Sequence, residues 1–96
     1  MQIQLNKFGT TLLSRQAGKE AYAAFLPTLH EATDDEIIEI DFSGITTFSP
    51  SWGDEFLTPL TTLFGNRVVF THEKSNPSVS LTLEFLQSIK DGKLAK

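Results

Sequence analysis

Apolar and polar positions alternate with a period of two at the start of the chain and shift to a helical period soon after. Ile3 and Leu5 fall on one side of Gln2-Ile3-Gln4-Leu5-Asn6, which predicts an edge strand buried on one face. Phe8-Gly9 supplies a turn, and Thr11-Leu12-Leu13 is expected to pair back on the first strand as a hairpin. Ser14 then offers an N-cap. Ala17, Ala21, Phe25 and Leu29 recur every fourth residue through the stretch from Arg15 to Glu31, as the apolar stripe of a helix does. Pro27 removes a donor to the carbonyl of Ala23, so this helix is expected to kink or to end near Leu26.

After Thr33-Asp34-Asp35, the segment Glu36 to Phe42 is rich in β-branched residues and places Ile38, Ile40 and Phe42 on one face, the pattern of a central strand that Ser43-Gly44 terminates. Ile45-Thr46-Thr47-Phe48 leads into Ser49-Pro50-Ser51-Trp52-Gly53-Asp54-Glu55, where helix-start signals are dense. Ser49 or Ser51 can cap, Pro50 suits the first turn, and two carboxylates follow where the helix dipole favours negative charge. With Ser51 as the cap, Asp54 would take the N3 position of a capping box. Trp52, Phe56, Leu60, Leu63 and Phe64 then line one face, with Leu57 beside them, and Pro59 predicts a second kink. Gly65-Asn66 closes this helix, and Arg67 to Thr71 reads as another buried strand.

The last segment fits two periods. Val79, Leu81, Leu83 and Phe85 alternate like a strand, whereas Val79, Leu83, Leu86 and Ile89 share a helical face. Asn76-Pro77 forms an N-cap and N1 pair and Asp91-Gly92 a stop, which decides for a helix, with 91–96 as a frayed tail. The resulting order, β-β-α-β-α-β-α, predicts an α/β fold: a single layer of mixed, mostly parallel sheet with flanking helices and right-handed crossovers, in one domain spanning 1–96.

Composition narrows the chemistry. With 96 residues, 8 Lys plus Arg, 12 Asp plus Glu and a net charge of -4, there is room for one core and no basic field for a phosphate backbone, so nucleic acid is not an expected partner. The absence of Cys removes disulfides, a thiol nucleophile and thiolate metal sites. No apolar run approaches the roughly 20 residues of a membrane span, and the alternating N-terminus lacks a leader pattern; a cytoplasmic protein without membrane association is expected.

Open α/β sheets place sites in the loops at the carboxyl ends of their strands, here 44–51 and 72–76. Ser49 and Ser51 stand before a helix, where they either cap it or expose a hydroxyl to a modifying kinase. Phe48-Ser49-Pro50-Ser51-Trp52-Gly53 is not a nucleophile elbow, and a hydrolase or acid/base site built on Asp41, Ser51 and His72 requires the three side chains to converge. Asp54 and Glu55 are either first-turn dipole partners or an acidic pair, and Trp52 either core or a partner's anchor. Asp41 either faces the site loops or accepts backbone N–H bonds from Ser43-Gly44. His30 and His72 lack metal-ligand spacing, so no metal or other cofactor is expected.

The block Ile40-Asp41-Phe42-Ser43-Gly44-Ile45, followed by Phe48-Ser49-Pro50-Ser51-Trp52-Gly53-Asp54-Glu55-Phe56-Leu57, resembles the STAS-like domain family, small bacterial domains that look like distant kin of anti-sigma-factor antagonists. Gly9 to Arg15 and the helix after it are similar to the family's opening, so the resemblance covers most of the chain. It implies a non-enzymatic regulatory domain of signal transduction. Its loop-helix junction, 48–57, would dock a regulatory protein such as a serine kinase of the histidine-kinase-like ATPase type. In the antagonists the junction reads Asp-Ser-Ser-Gly and its second Ser is phosphorylated. That residue matches Ser51, with Ser49 at the Asp, Pro50 at the first Ser and Trp52 at the Gly. A phosphate on Ser51 would stand close to Asp54 and Glu55, and the block holds no Arg to pair with it. The resemblance thus assigns partner binding to Ser49, Ser51, Trp52, Asp54 and Glu55, with Asp41 and His72 secondary. The other function carried forward is a small-molecule or nucleotide-binding module using loops 44–51 and 72–76.

Overall fold

The structure, a computed structural model, describes residues 1–90. It is an α/β fold with three helices and open parallel sheets, and no helix among the described residues is long and apolar enough to cross a membrane. In chain order the elements are β1 (Gln2–Gln4), β2 (Thr11–Leu12), α1 (Arg15–Leu29), β3 (Ile38–Asp41), β4 (Thr47–Phe48), α2 (Pro50–Phe64), β5 (Val68–Thr71) and α3 (Pro77–Lys90). The sheets have strand orders β1-β3-β5 and β2-β4, and each described pairing is parallel. The stop expected at Asp91-Gly92 and the tail 91–96 lie outside the described residues.

The hairpin expected between the first two strands does not form. A tight turn over Leu5–Phe8 ends at Gly9, whose φ of 124° turns the chain away from β1. Thr10 then accepts from Thr46 N–H at 2.8 Å and Thr47 N–H at 3.2 Å, which starts the parallel β2-β4 ladder instead.

Register places Ile3, Ile40 and Phe70 side by side on one face of the larger sheet and Gln4, Asp41 and Thr71 on the other. The first face is the core: Ile3, Ile38, Ile40 and Phe42 pack with Phe25, Leu29, Trp52, Phe56, Leu60 and Val79 from all three helices. The second face is polar, with the Gln2 amide donating to Glu39 at 3.0 Å. Strand β5 is not buried as expected: it closes the edge of the sheet, and Val69 is exposed.

Helix α1 runs past Pro27 to Leu29 and does not end near Leu26, because buried Leu29 anchors the last turn and His30 N–H donates to Leu26 carbonyl at 3.1 Å. Its buried stripe begins at Gly18 and continues through Ala21, Phe25 and Leu29, while Ala17 faces out. Helix α2 likewise continues past Pro59 to Phe64, and Gly65 ends it with a φ of 56°. Leu63, expected on the apolar face, is exposed because the buried stripe runs through Trp52, Gly53, Phe56, Leu57 and Leu60. The final segment is the expected helix. Asn76 Oδ1 accepts from Ser78 N–H at 2.8 Å, the side-chain bond that starts α3.

Candidate functional site

Two short parallel strands each run directly into a serine-capped helix. In the first, Ser14 follows Leu13 and accepts from Ala17 N–H at 3.0 Å; in the second, Ser49 follows Phe48 and accepts from Trp52 N–H at 3.3 Å. The two caps are tied together, since Ser49 N–H donates to Leu12 carbonyl at 2.9 Å and the Ser49 hydroxyl donates to Leu13 carbonyl. The N-termini of α1 and α2 therefore stand side by side at the carboxyl end of the β2-β4 ladder. Ser49, not Ser51, is the cap, and its hydroxyl is fully committed to structure.

With the cap at Ser49, Asp54 and Glu55 fall in the second turn of α2, beyond the reach of a capping box. The capping and first-turn dipole expectations for this pair are therefore corrected. They face Arg15 instead: one guanidinium nitrogen donates to Asp54 at 3.0 Å and to Glu55 at 2.8 Å. Asp54 also accepts from the Thr58 hydroxyl at 2.8 Å, and the Arg15 and Thr58 donors hold its carboxyl below the usual range. The same two carboxylates raise the Arg15 pKa. All three side chains keep substantial solvent contact, so this cluster shapes a charged surface and adds little to stability.

Trp52 is 1% exposed and cannot be a partner's anchor. Its indole stacks on Phe56 with ring centroids 5.0 Å apart and meets Phe48 edge-on at 5.9 Å, which makes it the centre of the aromatic core. Ser51 is half-buried in the first turn of α2, and its hydroxyl makes no hydrogen bond among the described residues. The outward face of the junction is thus Leu13, Arg15, Ser51, Asp54 and Glu55. Leu13 and Arg15 were not visible as site residues because they lie on a different strand-helix unit. The recurrence of an apolar residue followed by a capping serine at Leu13-Ser14 and Phe48-Ser49 was the available signal.

Asp41 and His72 do come together. Asp41 ends β3 with its carboxylate accepting from Ser43 N–H at 2.9 Å, and His72 Nδ1 lies 2.9 Å from the same oxygen. Both alternatives for Asp41 are realised at once. The Ser43 N–H is the main cause holding its carboxyl below the ordinary value, with His72 contributing less. His72 adopts a left-handed backbone, with φ of 60°, which swings its ring across the strand ends. No hydrogen bond joins Ser51 to this pair among the described residues. Among the described residues no group of three or more His, Asp or Glu could hold a metal ion.

Because the folded Asp41 pKa lies below the unfolded one, its contribution to stability is complete above the unfolded value near pH ~4 and is lost as pH falls through the lower folded value. Asp54, held by Arg15, and Glu36, held by the Met1 ammonium, contribute in the same direction. Chemical denaturation between pH 7 and 2 is expected to show a shallower acid loss for Asp41→Asn than for the parent chain, with part of the slope remaining. An identical slope would contradict the Asp41 contribution.

Loops 44–51 and 72–76 also meet, and hydrogen bonds from Asn76 and the start of α3 hold the first loop in place. The Asn76 amide donates to Ile45 carbonyl at 2.8 Å and Thr46 carbonyl at 2.9 Å, and Ser78 and Thr82 hydroxyls donate to Phe48 carbonyl. Two clefts lie between α2 and α3 and along α3; neither is lined by 44–51, and the second reaches Glu73 and Lys74 of the 72–76 loop. No protein-family model, characterised protein or solved structure matches the chain.

Proposed function

We propose that the chain is a STAS-like, non-enzymatic regulatory module of the cytoplasm that docks a partner protein through the paired N-termini of α1 and α2. The observation that carries this reading is the outer face of the junction: Arg15 bridges Asp54 and Glu55 beside exposed Leu13, while the Ser51 hydroxyl is left uncommitted. A charged rim beside an apolar contact suits protein recognition, because charges of both signs give a partner electrostatic complementarity around the apolar contact. The same face fits a serine kinase of the histidine-kinase-like ATPase type, with Ser51 as the hydroxyl it would modify. Arg15 supplies near the junction the cation missing from the local block, although its existing bonds to two carboxylates oppose a phosphate there.

The test is capture of binding proteins on immobilised parent chain, Leu13→Asp and Ser51→Asp, with circular dichroism verifying that all three are folded. A partner retained by the parent chain and lost from both variants is the expected result. Equal recovery on all three would remove the junction as the docking face.

A further inference from the structure

Strand β5 lies at one edge of the β1-β3-β5 sheet. In a parallel ladder a bonded residue turns both its N–H and its C=O toward one neighbour, and the next residue turns both away. Thr71 faces β3, since its carbonyl accepts from Phe42 N–H at 3.0 Å, so the preceding residue, Phe70, presents its N–H and C=O to the open edge. The Phe70 side chain shares the sheet face of Ile3 and Ile40 and lines a cleft of about 240 Å³ between α2 and α3, with Leu57, Leu83 and Leu86 as its other apolar walls. Past Phe70 this space continues to Glu73, Lys74 and Glu84.

We propose that the β5 edge takes up an extended, basic segment of a partner protein as an added strand. A strand placed at ladder spacing beside β5 would pair with both free backbone groups of Phe70. Its residue opposite Phe70 would project onto the same face, into the cleft beside Leu83 and Leu86. Charge selects the segment. The Glu73 and Glu84 side chains have no ion-pair partner among the described residues, Lys74 is the one cation beside them in the cleft lining, and the whole chain carries -4, so flanking lysine or arginine is attracted and acidic residues are repelled. A second copy of this chain is a poorer occupant: Arg67, the basic residue next to its β5, already donates to Thr33 carbonyl at 2.8 Å and lies over the Phe64 ring. This surface goes beyond the junction reading and does not depend on it: of the junction face only Asp54 reaches the first cleft, and Leu13, Arg15, Ser51 and Glu55 line neither.

The experiment is fluorescence anisotropy with a labelled peptide alternating valine and lysine, beside a valine-glutamate version and a valine-lysine version N-methylated on alternate amides. The valine-lysine peptide is expected to bind saturably and to slow hydrogen exchange at the Phe70 amide. The other two should bind about tenfold more weakly or worse, as should the valine-lysine peptide on Glu84→Lys and Leu83→Arg chains. Glu84→Lys is a surface change expected to leave thermal unfolding in place, which separates lost binding from lost folding. Absence of saturation, equal binding of the three peptides, or sedimentation as a dimer with the Phe70 amide already protected would each overturn the proposal.

Discussion

Replacing Trp52 by alanine is expected to cost about 3–5 kcal/mol, the range for deleting a large buried aromatic. Small domains hold only about 5–15 kcal/mol in total, so a substantial unfolded population should appear well below the parent midpoint. The reason is geometric. Trp52 touches Phe8, Phe48 and Phe56 and is 1% exposed, so no rearrangement of solvent can fill its place. Urea unfolding followed by circular dichroism measures the loss. A cost below ~1 kcal/mol would mean that the indole lies at the surface, and would return it to the set of docking residues.

Gly18→Ala is the second large effect, and it runs against helix propensity. Alanine in a helix interior is favoured over glycine by about 1 kcal/mol. Here, however, a Cβ on Gly18 would stand 2.6 Å from the Trp52 carbonyl oxygen and 3.0 Å from its Cα. Those are backbone atoms of the facing helix, so α1 and α2 must separate where they are most tightly packed. A net loss of about 1–3 kcal/mol is expected, or roughly 4–8 °C in the melting midpoint for each kcal/mol. The separation would also pull Arg15 from Asp54 and Glu55, linking this packing contact to the proposed docking face. A midpoint equal to or above that of the parent would show that the helices do not approach through Gly18.

Local chemistry was the most legible part of the sequence. Asp41-Phe42-Ser43-Gly44 combines a carboxylate, an N–H two residues on and a glycine with φ of 80°, and all three features act within the turn itself. Helix starts at Ser14 and Asn76 were legible for the same reason. What depends on distant residues was not. Strand β2 pairs with β4 across 36 positions, and nothing in Thr11-Leu12-Leu13 distinguishes that pairing from a hairpin. Strand β5 looked buried because Val68, Val69 and Phe70 are apolar, yet its position at an edge is a property of strand order. The candidate site divides along the same line. Ser49 and Ser51 lay within the readable block, whereas Arg15 reaches Asp54 from another helix and could be placed only once α1 and α2 were side by side.

The most direct measurement for the junction is the dissociation constant of the captured partner on purified chains: parent, Leu13→Asp, Ser51→Asp and Ala24→Asp. Ala24 is exposed further along α1, away from both helix N-termini, so its variant adds the same charge outside the docking face. Docking through the paired N-termini predicts about tenfold or greater weakening for Leu13→Asp and Ser51→Asp and no change for Ala24→Asp. Equal affinity for all four chains, or weakening confined to Ala24→Asp, would contradict it.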